Sequence, residues 1–167
     1  QYSFTGVLDG RGHQISGLAM SRSDRVGLFF ELEDATVSNL VLSGSFVRSY
    51  PDSSWAEGAA ALSVLASGTV DVISVSNLAD VSGRTNVGGL IGDVDGTVNL
   101  SFSNNSGEIS GSGENVGGLL GYASQSHLVS SFNTGPVNGT GAGGDIGGLV
   151  GDGGRGSSFI SSYNTAT

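Results

Sequence analysis

The sequence predicts an all-β fold, a right-handed parallel β-helix of about five to six coils, each of 28–30 residues with three short strands. Three observations lead there. A hexapeptide of the form Val/Ile-Gly-Gly-Leu-aliphatic-Gly occurs as Val87 to Gly92, Val116 to Gly121 and Ile146 to Gly151, at spacings of 29 and 30 residues. Between the copies apolar and polar residues alternate, as in Val98-x-Leu100-x-Phe102, the period of two that lets a strand point one face inward. No segment shows helical periodicity over eleven residues, and Gly, Asn, Asp or Ser punctuates each short run.

The repeat extends upstream in weaker form. Ala60-Ala61-Leu62 precedes Gly68-Thr69-Val70 as Leu90 precedes Gly96-Thr97-Val98, and Val26-Gly27-Leu28 leads into Thr36-Val37-Ser38. The marker leucines are Leu28, Leu62, Leu90, Leu119 and Leu149, at intervals of 34, 28, 29 and 30. The long first interval places an insertion of about five residues within Arg48 to Glu57. The chain therefore divides into coils at 1–25, 26–56, 57–86, 87–115, 116–145 and 146–167 of one solenoid domain, expected to be a piece of a longer protein. A propeller blade, at about 40 residues, is too long for this period.

Stacked coils lie about 4.8 Å apart, so equivalent residues sit above one another and like packs on like. Leu62, Leu90, Leu119 and Leu149 are expected to form an inward column. Phe102, Phe132 and Tyr163, each in the Ser-rich strand after a hexapeptide, are expected to form another. The paired glycines suit either a bend at positive φ or a place where a Cβ would strike the next coil. An Asn follows each aromatic at Asn104 (with Asn105), Asn133 and Asn164, and Asn77 holds the matching place upstream. These are expected in left-handed turns, their amides joined from coil to coil in a ladder.

Composition removes several function classes. The net charge is −9, all six basic residues are Arg, and no basic patch exists to follow a phosphate backbone, which argues against nucleic-acid binding. With no Cys there are no disulfides and no thiolate metal sites. No apolar run reaches the ~20 residues of a membrane-spanning helix.

Candidate chemistry is sparse. His13 and His127 fall in different coils, and a hydrogen-bonded structural role is expected for His13. Asp93, Asp95, Asp9 and Asp152 could suggest the acidic calcium cluster of a β-helix polysaccharide lyase. Asp93 and Asp152 share one turn position in non-adjacent coils, with Tyr122 between, so solvated turn acids fit better. Tyr50 and Trp55 lie in or beside the insertion, where an aromatic loop could contact a sugar or a protein, or fold back over a coil corner. Asn99-Leu100-Ser101, Asn104-Asn105-Ser106 and Asn138-Gly139-Thr140 match the glycosylation sequon, a match that composition alone could produce. Thr recurs too irregularly for an ice-binding face.

The stretch Phe4-x-Gly6-x-Leu8-Asp9-Gly10-x-Gly12-His13-x-Ile15-x-Gly17-Leu18 resembles the first coil of bacterial β-helix surface proteins. The Gly-Gly-Leu-aliphatic-Gly units resemble the GLUG motif of large secreted bacterial proteins, including adhesins and the non-catalytic part of immunoglobulin A protease-like peptidases. That resemblance implies an extracellular or cell-surface stalk or adhesion module, with no catalytic residue and no cofactor. Its partners would be a host surface protein or glycan, or further copies stacked end to end on uncapped solenoid faces. The alternative from another class is a carbohydrate-active β-helix enzyme.

Overall fold

Alternating Val, Leu and Ile cannot hide one face of a strand without a neighbour, and here the neighbour is the same segment one turn later. The computed structural model describes residues 2–50, 58–141 and 144–166, and among them there are strands and no helix. The protein is a parallel β-solenoid of about five turns, and every strand pairing in it is parallel.

The first turn holds β1 (Ser3–Phe4) and β2 (Val7–Arg22), and the second holds β3 (Phe29–Glu33) and β4 (Thr36–Ser49). The third holds β5 (Ala59–Ala60), β6 (Ser63–Asn77) and β7 (Asp80–Gly83). The fourth shows the full pattern: β8 (Val87–Gly88), β9 (Ile91–Ser101), β10 (Asn104–Asn105) and β11 (Ile109–Gly111). The fifth repeats it as β12 (Val116–Gly117), β13 (Leu120–Val129), β14 (Phe132–Asn133) and β15 (Val137–Gly139). The sixth contributes β16 (Ile146–Gly147), β17 (Val150–Gly153), β18 (Ser158–Ile160) and β19 (Tyr163–Asn164). Thus in β6, β9 and β13 the strand after the leucine marker is one long run, split in the sixth turn into β17 and β18, and in β6 and β9 it passes through Gly68 (φ 65°) and Gly96 (φ 150°), which stack on each other.

The leucine column is continuous in the backbone: Leu62 N–H donates to Leu90, Leu90 to Leu119 and Leu119 to Leu149, at 2.8–3.1 Å. Leu62, Leu90 and Leu119 are fully buried, whereas Leu28 and Leu149 are partly buried against the same core. Val72, Leu100 and Leu128 form a second fully buried column. Fully burying a side chain of this size contributes roughly 1.5–3 kcal/mol, and each column repeats that gain at every turn.

The paired glycines serve close approach. Neither Gly88 nor Gly117 has positive φ, and a Cβ on Gly117 would overlap the Leu120 carbonyl oxygen. On Gly89 it would overlap the carbonyl of Gly118 in the next turn.

Register locates the insertion. Arg22 pairs with Ser49 but Val26 with Ala59, and Arg48 pairs with Ser82 but Ala59 with Val87. On both sides the offset changes by six residues between Ser49 and Ala59, within one residue of the expected size.

Two expectations are corrected. The aromatic column does not fill the core: Phe102 is 62% exposed and Tyr163 50% exposed. Phe132 pairs with Tyr163 and with Asn104, so Phe102 belongs two places earlier, with Ser130. That place is a left-handed corner shared by Asn39 (φ 53°), Ser74 (55°), Phe102 (51°), Ser130 (48°) and Ser161 (50°). The ladder asparagines, conversely, do not have positive φ; the left-handed asparagines are Asn39, Asn86 and Asn115. The corner reverses the strand alternation, so the aromatics point outward and the asparagines inward.

Candidate contact surface

Behind the outer face runs a buried polar spine. Asn77 Nδ2 donates to Asn105 Oδ1 at 2.7 Å, Asn105 to Asn133 at 2.8 Å and Asn133 to Asn164 at 2.8 Å. The second amide hydrogen of Asn77, Asn105 and Asn133 goes to the carbonyl two residues on, at Ala79, Gly107 and Gly135, each at 2.8 Å. The N–H groups of Ala79 and Gly135 return to the Asn Oδ1 of their own turn. Asn77, Asn105 and Asn133 are fully buried, so the chain's bend is hydrogen-bonded inside the molecule where water does not reach. Asn104, the neighbouring candidate, faces outward and donates to Ser76 Oγ at 2.8 Å. In the second turn this place is held by Leu42, so the spine starts at Asn77.

A serine column, missed in the sequence reading, runs beside it. Val75 N–H donates to Ser103 Oγ, Ser103 N–H to Ser131 Oγ and Ser131 N–H to Ser162 Oγ, at 3.0–3.2 Å. Each hydroxyl donates in turn to the carbonyl two residues back, at Ser101, Val129 and Ile160. At the left-handed corner the strand ladder is interrupted, and these hydroxyls replace the missing acceptors. Ser at 103, 131 and 162, each one residue after a corner position, was the available signal.

Outward columns are joined by neutral-to-acid hydrogen bonds between turns. Asn99 donates to Asp71 at 2.8 Å, Asn138 to Glu108 at 2.9 Å, and Ser3 and Ser67 both donate to Glu31 from the turns on either side. His127 Nδ1 lies 2.9 Å from Ser158 Oγ. The His13 side chain is exposed and makes no hydrogen bond to another described residue, so the hydrogen-bonded structural role expected of it is not seen.

Apolar side chains gather on the outer side of the corner. Phe132 and Tyr163 stack with ring centroids 5.2 Å apart and planes 4° from parallel. On the second turn Arg48 lies over both the Phe46 and Tyr50 rings, at 5.2 and 5.6 Å, and donates to the Tyr50 hydroxyl and to Ser82. Tyr50 is about half exposed and flanks the insertion; Trp55 lies outside the described residues.

The acids do not converge. Tyr122 pairs with Asp93 on one side and Asp152 on the other, and no group of three or more His, Asp or Glu among the described residues is placed to hold a metal ion. Burial raises the Asp93 pKa above the usual carboxylate range, opposed by the hydrogen bond from Asn86 and the charge of Arg25. The hydrogen bond from Asn39, with that from the Arg11 N–H, lowers the pKa of Asp9.

Taken together, these features define a parallel β-solenoid with an inward amide spine and an outer face of repeating columns. The chain is similar to Halomucin of Haloquadratum walsbyi (strain DSM 16790 / HBSQ001), with 41% identity over 93 residues. That stretch is 54% of this chain and 1% of Halomucin, so the chain matches only a small part of that relative. No family model and no solved structure matches.

Proposed function

We propose that this chain is a non-enzymatic structural and adhesive module of a cell-surface or secreted protein, a stalk whose outer columns meet a host surface protein or glycan. The observation that carries the reading is the pair of uninterrupted Asn and Ser columns, which fix the turns in register and hold the outer side chains in rows. The likeness to a stretch of Halomucin, whose name places it among mucins, supports an extracellular or surface location, and the resemblance to GLUG repeats points the same way. The proposed contact residues are Tyr50, half exposed at the corner beneath Arg48, and Trp55 of the insertion, aromatic side chains that combine an apolar face with a polar edge.

Solenoid ends extend the proposal. Phe159 is 49% exposed although its column partners Leu128 and Leu100 are fully buried, and Ile146 is 48% exposed above fully buried Val116. A second copy stacked head to tail on this face would cover both, and a contact of this kind grows into a fibre.

Two measurements test the reading. Binding of the purified chain to arrays of glycans and host surface proteins should be seen, and Tyr50→Ala with Trp55→Ala should weaken it at least tenfold. No binding, or binding indifferent to both changes, removes the adhesive role. Sedimentation should show end-to-end association that a charge at Val7 suppresses. A stable monomer at high concentration removes the fibre.

A further inference from the structure

We infer that Asn138 is a site of N-linked glycan attachment, with Asn104 and Asn99 as secondary sites. The inference rests on the extracellular location proposed above. Three sequons occur in the chain, and an amide can accept a sugar only where it faces solvent. The fold sorts the asparagines into two sets by this criterion. Asn77, Asn105 and Asn133 are fully buried with both amide hydrogens committed, and none is the acceptor asparagine of a sequon.

The separation has a structural cause. The residue two places after a spine Asn is Ala79, Gly107, Gly135 or Ala166. A Cβ on Gly107 would overlap the Ala79 carbonyl oxygen, and one on Gly135 the Gly107 carbonyl. A Ser or Thr two places after Asn105 or Asn133, as a sequon requires, would therefore clash with the backbone of the preceding turn. The three sequon asparagines all lie on outward positions. Ser106 and Thr140, the hydroxyl residues of two of the sequons, lie just past the ends of β10 and β15 and are exposed, and Ser101 lies in β9 with Asn99.

Asn138 is the most accessible. It is exposed on β15, and its Nδ2 bonds the surface carboxylate of Glu108 at 2.9 Å. An N-linked amide nitrogen keeps one hydrogen, so that bond survives modification. Asn99 and Asn104 are half-buried, with amides engaged by Asp71 and Ser76, and would be modified to a lower degree. In the transfer, Asn138 Nδ2 bonds the anomeric carbon of a lipid-diphosphate-linked oligosaccharide. The bond from that carbon to the phosphate oxygen breaks, the lipid diphosphate leaves, and the amide proton passes to a base of the transferase.

The experiment is peptide mass mapping of the full-length parent protein from its own cells, with and without Asn138→Gln, alongside protease shaving of intact cells. A hexose- or hexosamine-containing mass increment on the Asn138 peptide, absent from the variant, is expected, with Asn77, Asn105 and Asn133 peptides bare. Bare Asn138, Asn104 and Asn99 in a protein that shaving releases overturns the glycan inference and leaves the surface location standing. A protein protected from shaving until the cells are lysed overturns the location, and this inference with it. Modification of a spine asparagine contradicts the sorting argument itself.

Discussion

Asn133 and Phe102 lie in successive turns on the same side of the solenoid, and they carry opposite expectations. Replacing Asn133 by Ala leaves the Gly135 N–H and C=O and one amide hydrogen of Asn105 without partners in a dry site. The loss should be about 1–3 kcal/mol in urea unfolding, and an unchanged midpoint would show that the spine contributes nothing. Phe102 was expected to be core, where truncation costs about 3–5 kcal/mol. It stands exposed at φ 51°, a conformation that Asn39 adopts at the same corner two turns away. Phe102→Asn should therefore stabilise by about 0.5–1 kcal/mol, and the sign alone separates the two placements.

Asp93 adds a pH dependence at the same scale. Its folded pKa is raised by burial above 3.8, so between that value and the folded one the folded chain holds the proton more tightly than the unfolded chain. Its contribution to stability therefore falls as pH rises through the folded pKa. Asp93→Asn should melt higher than the parent at neutral pH, and the difference should shrink on acidification. Asp9, with its pKa lowered, works in the other direction: its contribution is present above 3.8 and is lost as pH falls through the folded value.

At the scale of the element, the short strands β8 and β12 depend on glycine for closeness. A methyl group at Gly117 would overlap the Leu120 carbonyl and crowd the Gly151 amide, both backbone atoms fixed by pairing on either side. Gly117→Ala should cost at least about 1–3 kcal/mol, the range for overpacking, and Gly153→Ala, whose Cβ meets only Val150 Cγ1 at 3.9 Å, should cost far less. Equal melting shifts for the two would refute the steric account. The insertion belongs to this scale too, because its register change is confined to one corner and the strands above and below resume their pairing.

Over the whole molecule, charge is unbalanced. Fifteen acids face six arginines, and Asp71, Glu108 and Glu31 take their hydrogen bonds from Asn and Ser. Those bonds hold the turns together without neutralising anything, so a net charge of −9 repels itself along the stack. Added salt should raise the melting temperature, steeply up to a few tenths molar, where the Debye length falls below about 8 Å. A melting temperature that falls with salt would mean that attractive ion pairs dominate.

The repeat length, the parallel solenoid, the leucine column and the place of the insertion were all legible in the sequence, because they depend on spacing, and stacking converts spacing directly into contact. The coil-to-coil asparagine ladder was legible for the same reason, up to the choice between Asn104 and Asn105. Which residues face inward past the corner was not. One left-handed residue reverses the alternation, and Phe102, standing where the other turns have Asn39, Ser74, Ser130 and Ser161, does not announce it. Only the paired turns fix that conformation, by supplying Ser103 and Ser131 as acceptors and closing the spine beyond them, and so only the tertiary structure turned the aromatics outward and divided the asparagines into a buried spine and an accessible surface set.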